Sequence, residues 1–138
     1  MAFWIGDVSV RDSSATDNLT CKGYTGVGAD ESYIYYTPFF NGSAYHGIVL
    51  RQKIFGVFKD AGSWEAYNAG SIDALNTKGY YGNPIFDGQF MYFAPNNNGS
   101  VSGIVMRYDT TKPFKNASSW EAYNAGSVDS LNTKGFLG

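Results

Sequence analysis

At 138 residues the chain has the length of one domain, and its 43% hydrophobic and 17% aromatic content allows a packed core. A charged fraction of 16%, a net charge of −2 and the lack of any basic run disfavour a disordered segment and sequence-independent nucleic-acid binding. No apolar run reaches the roughly 18 residues of a membrane span, and Met1-Ala2-Phe3-Trp4 lacks the basic and long apolar parts of a signal peptide, so the expectation is a soluble protein off the membrane.

Residues 1–21 resemble only the tail of a unit that recurs further on. From residue 22 short β-type runs alternate with turn residues, and the 11 Tyr and 10 Phe favour strands. A first strand is predicted near 24–29, a second over 33–39, a third over 47–52 and a fourth over 64–69. The same series returns at 80–86, 90–94, 103–108 and 120–125. Asp87-Gly88 reads as a tight hairpin turn whose two central residues both accept positive φ, with Asp30-Glu31 in the same place. Asn41-Gly42 and Asn98-Gly99 mark the next turn. Longer connectors, 53–63 and 109–119, join strands three and four. Val128 to Leu131 and its equivalent have room for one helical turn at most.

The chain repeats itself. Ser63-Trp64-Glu65-Ala66-Tyr67-Asn68-Ala69-Gly70-Ser71 recurs from Ser119, an interval of 56 residues. Asp73-x-Leu75-Asn76-Thr77-Lys78-Gly79 recurs from Asp129, and a weaker copy, Asp17-x-Leu19-Thr20-Cys21-Lys22-Gly23, lies 56 residues upstream. The chain therefore divides into a partial unit (1–21), full units at 22–77 and 78–133, and the start of a further unit at 134–138. Strands two and three are apolar on both faces, whereas strand four alternates, with Trp64 and Ala66 on one side and Glu65 and Tyr67 on the other. Covered central strands and a more polar outer strand suit a radial blade packed between neighbours.

The second unit reads Asp87-Gly88-Gln89-Phe90-Met91-Tyr92-Phe93-Ala94-Pro95, then Gly103 through Thr110, then Ser118 through Gly126, then Leu131-Asn132-Thr133-Lys134-Gly135. This series resembles the repeats of uncharacterised bacterial β-propeller-like proteins, over residues 22–138. The first unit departs from it with Gln52-Lys53 in place of Tyr108-Asp109. The resemblance implies a propeller and a bacterial setting, and it brings no activity with it.

The fold expected is all-β, with propeller-like four-stranded blades and two 56-residue repeats per chain. Two blades cannot close a ring, so the expected partner is the chain itself, as a dimer or trimer. Residues 3–10 are a candidate outer strand for exchange with another copy's segment 134–138. The alternative is a β-sandwich.

In an antiparallel blade the loops after strands two and four emerge at one end. That rim gathers Asn41, Tyr45, His46, Asn68, Asp73 and Lys78 from the first unit and Asn97, Asn98, Asn124, Asp129 and Lys134 from the second. Amides, carboxylates and aromatic rings on rigid loops suit sugar hydroxyls, so the favoured function is non-catalytic binding with glycans as the ligand class. The same Asp-x-Leu-Asn-Thr-Lys-Gly motif also reads as a blade-to-blade brace with Lys paired to Asp. The Trp residues read as packing anchors, Glu65 and Glu121 as solvated, Arg51 and Arg107 as stacked or paired at strand ends, and His46 as a solvated rim residue. Cys21, alone, reads as a small half-buried side chain. No Ser-His-Asp set, His pair or Cys pair is spaced for catalysis or metal, so no catalytic residue, metal or cofactor is expected. Two further functions stay open: a purely structural self-assembling module, and a glycoside-active site formed where Asp73 and Asp129 meet at a subunit junction. Asn18, Asn41, Asn98 and Asn116 begin Asn-x-Ser/Thr triplets that act as turn residues in a bacterial setting.

Overall fold

The computed structural model describes residues 8–138. Its strands are β1 (Tyr24–Ala29), β2 (Tyr33–Pro38), β3 (Ile48–Lys53), β4 (Trp64–Asn68), β5 (Ile85–Phe86), β6 (Phe90–Phe93), β7 (Ile104–Asp109) and β8 (Trp120–Asn124). They make two four-stranded antiparallel sheets, each a meander in chain order, and the helical structure among the described residues is confined to short 3-10 turns.

One strand is much shorter than expected. The run over 80–86 keeps only Ile85–Phe86 as a ladder, with Tyr80 making a single bridge to Pro95. Between them stand Gly82, at φ +84°, and Pro84, which has no N–H to donate. β1 stays paired through the same region by means of a bulge between Tyr24 and Val27. The Asp87-Gly88 turn also differs in detail. Asp87 precedes the bend and its Oδ1 accepts from the N–H groups of Gln89 and Phe90 (2.9 and 2.7 Å), while Gly88 takes the positive φ of +104°. Asp30 holds the first unit's turn in the same way, through Ser32 and Tyr33.

Strand register sorts each sheet into two faces. Tyr35, Arg51 and Glu65 stand opposite one another across β2, β3 and β4, and Val49 and Tyr67 lie on the same side; Tyr36, Leu50 and Ala66 share the other side. The second sheet turns Met91, Phe93, Met106, Tyr108 and Trp120 onto the Tyr35–Val49 face of the first, and Phe114 from its connector completes that core. Trp120 lies between Tyr108 of its own sheet (4.7 Å between centroids) and Tyr67 of the other (5.7 Å), so both faces of the indole are covered. Trp64 is buried in the same position of the first sheet, in a smaller cluster with Cys21, Ile48, Leu50 and Ala66. The Trp120 indole therefore offers no free face to a ligand.

Coverage of the four faces is unequal. Residues from the 8–22 segment, Leu19 and Cys21 among them, pack on the Leu50–Trp64 face of the first sheet. Cys21 is fully buried, not half-buried, because it lies under that face, and the burial pushes its thiol pKa up. The outward face of the second sheet, bearing Tyr92, Val105, Arg107, Glu121 and Tyr123, lines an open cleft. The third strand was expected to be covered on both sides in each unit. That holds for β3, buried from Ile48 through Gln52, but β7 buries Met106 and Tyr108 and leaves Val105 and Arg107 half-exposed. Of the candidate exchange strand over 3–10, residues 3–7 lie outside the described residues, and Val8 and Val10 are exposed and in no strand.

Candidate functional site

The loops expected to share a rim do so. Gly79 N–H donates to the His46 carbonyl (3.1 Å), Asn97 N–H donates to the Gly79 carbonyl (3.0 Å), and Gly135 N–H donates to the Ser102 carbonyl (3.0 Å). These bonds tie the loops after β2 and β6 to the segments after β4 and β8 at one end of the two sheets. Most of the rim's polar atoms are engaged within the protein. Asn41 Oδ1 accepts from the Ser43 and Ala44 N–H groups at 2.9 Å each, Asn97 Oδ1 from Gly99, Asn68 Oδ1 from Gly70 and Asn124 Oδ1 from Gly126. Asn98 donates to the Asn76 carbonyl (2.9 Å) while Asn76 donates to the Asn98 carbonyl (3.2 Å), a reciprocal clasp between the two units. Tyr45 packs edge-on against Phe39.

His46 is not a solvated rim residue. It is 6% exposed, its Nδ1 accepts from the Ile48 N–H (3.2 Å), and its Nε2–H therefore donates to the Gly23 carbonyl (3.2 Å). Burial holds its pKa below the ordinary imidazole range. Ser102, its counterpart, does the same work: its Oγ accepts from the Ile104 N–H at 3.2 Å. The lone histidine and the serine are two solutions to one capping problem at the start of strand three.

The Asp motif is a brace, with a different partner from the one expected. Asp73 and Ala74 both take left-handed φ (+53° and +59°), which swings the Asp73 carboxylate across to the second sheet, where Oδ2 accepts from the Ala122 N–H on β8 (2.9 Å). Asp17, with φ +52°, accepts from Ala66 on β4 at the same distance. Burial alone would raise the Asp17 carboxyl, but the Lys115 ammonium at 2.7 Å and the Ala66 N–H outweigh it and hold the pKa below its usual value. Asp129 repeats the conformation at φ +54°, and among the described residues its carboxylate accepts from no strand N–H. The lysine half of the expected brace is absent: among the described residues no ion pair joins Lys78 to Asp73 or Lys134 to Asp129. Lys78 instead lays its stem over Gly70, where an added Cβ would stand 3.3 Å from Lys78 Cε. Thr77 and Thr133 close the turns by donating to the carbonyls of Ala69 and Ala125.

A second polar cluster lies at the opposite end, around strand three's arginine. Arg51 sits between the rings of Tyr33 (3.5 Å) and Phe114 (4.1 Å), bonds Glu65 through Nε and Nη2 (2.9 and 2.8 Å), and donates from Nη1 to the Tyr35 hydroxyl (3.3 Å). Tyr35 donates in turn to Asp30 Oδ2 (2.7 Å). Glu65 is thus a partner of Arg51 and not a solvated side chain. Arg107 repeats the arrangement on the open face, over Phe90 (3.7 Å) and with Glu121 (2.7 Å). A cleft of about 260 Å³ opens beside Arg51 between the two sheets. The recurrence of Arg, Glu and Tyr at matching repeat positions was the signal for this cluster.

Among the described residues no three His, Cys, Asp or Glu side chains come together as metal ligands, and no helix is long and apolar enough to cross a membrane. Comparisons of the chain with protein-family models, with curated proteins and with solved structures found no match.

Proposed function

We propose that each sheet is one blade of a propeller-like array, and that the chain is a non-catalytic module that works by stacking on further copies of itself. The observation that carries this reading is the repetition of a face. Tyr35, Val49, Arg51, Glu65 and Tyr67 share the face on which the second sheet packs, and Tyr92, Val105, Arg107, Glu121 and Tyr123 repeat it on the open side. A surface whose twin is already an interface is suited to the same kind of partner. Light scattering coupled to size exclusion tests this: masses that rise above 15.1 kDa with concentration support it, and a 15.1 kDa species throughout overturns it.

A specific observation also favours a rim that binds polyhydroxylated ligands such as glycans. Asn98, Ser100, Ser102, Asn124 and Lys134 line a cleft of about 200 Å³ at the second unit's end. Glycan-array binding that is lost in Asn124→Ala and Lys134→Ala supports this second function, and array silence at high protein concentration removes it.

A further inference from the structure

The junction between the two sheets has a knob and a socket, and the chain leaves one of each unused. The knob is Phe114, 3% exposed, whose ring lies 4.1 Å from the Arg51 guanidinium and packs edge-on against Tyr35 and Tyr67. Its repeat equivalent, Phe58, is 37% exposed, beside Phe55 at 92% and Val57 at 69%. The socket's equivalent is Tyr92, Arg107 and Tyr123, where Arg107 has Phe90 beneath it and, among the described residues, no ring above, and Tyr123 is 70% exposed.

What covers the first sheet near Phe58 is the 8–22 segment, and its register explains how. Asp17 accepts from Ala66 as Asp73 accepts from Ala122, so this segment runs where the tail of a preceding unit would run. By the 56-residue interval Arg11 stands in the place of Tyr67. It bonds the Lys59 carbonyl through Nη1 (3.0 Å), but its Nε is buried with no hydrogen-bond partner among the described residues. An arginine with an orphaned donor replaces a tyrosine that stacks on an indole, and a polar cleft of about 240 Å³ opens beside Trp64. The segment imitates a blade edge imperfectly, and a complete blade face would seat better.

Resting on the self-stacking reading, we infer that copies join head to tail: the open face of one copy's second sheet receives the first sheet of another, Phe58 entering the Arg107–Tyr92–Tyr123 socket while the residues 8–22 that cover that first sheet are displaced. The occupant follows from the chain's own junction, since the socket repeats one already filled by a phenylalanine from the connector between strands three and four. Displacement is required because residues 8–22 hold, by two 56-residue intervals, the position that residues 120–134 of the receiving copy would take, β8 and the Asp129 turn included.

Two exposed substitutions separate the surfaces. Phe58→Asp disables the head and Tyr123→Asp the tail, and circular dichroism melts establish that each folds. Sedimentation velocity of the wild-type chain should show assembly, each variant alone should remain a monomer, and the equimolar mixture should form a heterodimer that grows no further. Arg11→Tyr, which restores the tyrosine of the repeat and tightens the covering segment, should weaken assembly of the wild-type chain several-fold, in line with one added aromatic pair. Wild-type assembly with no rescue in the mixture, or with variants that still assemble, overturns head-to-tail joining and leaves self-stacking intact. A wild-type chain that is monomeric at every concentration overturns both.

Discussion

Replacing Asp73 with Ala removes the one side-chain acceptor that ties the turn after the first sheet to the outer strand of the second. The Ala122 N–H loses a carboxylate partner at 2.9 Å. Hydrogen bonds to charged groups contribute about 1.5–3 kcal/mol, and the exposure of this one places it near the low end. A second contribution comes from the backbone: at φ +53° Asp is better tolerated than Ala, which adds about 0.5–1 kcal/mol. The expected loss is about 2 kcal/mol, or close to 1 M in the midpoint of a urea titration at a slope of about 2 kcal/mol/M. Asp129→Ala is the internal control, because it has the same motif and φ +54° but, among the described residues, no strand N–H on its carboxylate. It should lose only the backbone part, under about 1 kcal/mol. Asp73→Asn, which keeps an acceptor and tolerates left-handed φ, should recover most of the loss. Equal midpoint shifts for Asp73→Ala and Asp129→Ala would refute the brace.

Three more outcomes follow from single residues. Ala74 occupies a left-handed position (φ +59°) that Asn fills as Asn18, so Ala74→Asn should raise stability by about 0.5–1 kcal/mol in the same titration. The Tyr80 hydroxyl is buried without a partner among the described residues, whereas Tyr24 donates to the Ile48 carbonyl at 2.9 Å, so Tyr80→Phe should be neutral to stabilising by about 1 kcal/mol and Tyr24→Phe destabilising by a similar amount. The depressed pKa of buried His46 means that the unfolded chain binds a proton more readily than the folded one, so stability should be full above pH 6.5 and fall as pH drops below it, by up to about 1.4 kcal/mol per unit. His46→Ser, the choice of the second unit, should flatten that slope between pH 7 and about 5, above the ordinary carboxylate range, whatever it does to absolute stability.

The repeat made most of the architecture legible, because a 56-residue interval fixes which residues are equivalent even where their roles are obscure. Strand periodicity then located seven of the eight strands closely; β5 was lost to Gly82 and Pro84, whose local chemistry outweighed a β-rich run. The rim was legible as a place but not as a site. Periodicity brings Asn41, Asn68, Asn97 and Asn124 to one end, yet it gives no sign that each amide oxygen is engaged by a backbone N–H two residues on. His46 shows the same limit. Its serine counterpart pointed away from a shared structural role, and only the geometry reveals that imidazole and hydroxyl accept the same N–H. The brace was legible as a motif and misassigned in its partner, since a carboxylate's nearest charge in sequence, Lys78, is not its nearest donor in space.

Tyr67 and Tyr123 offer the most direct test of stacked, self-repeating faces, because they share the context Trp-Glu-Ala-Tyr-Asn and lie in tryptic peptides of different sequence. Hydroxyl-radical footprinting at low and high protein concentration reads both. Tyr67, stacked on Trp120, should be protected throughout, while Tyr123, 70% exposed, should react at low concentration and become protected at high concentration. Equal reactivity of the two at low concentration would contradict the packing of the second sheet on the first, and a Tyr123 that stays reactive at high concentration would contradict self-stacking.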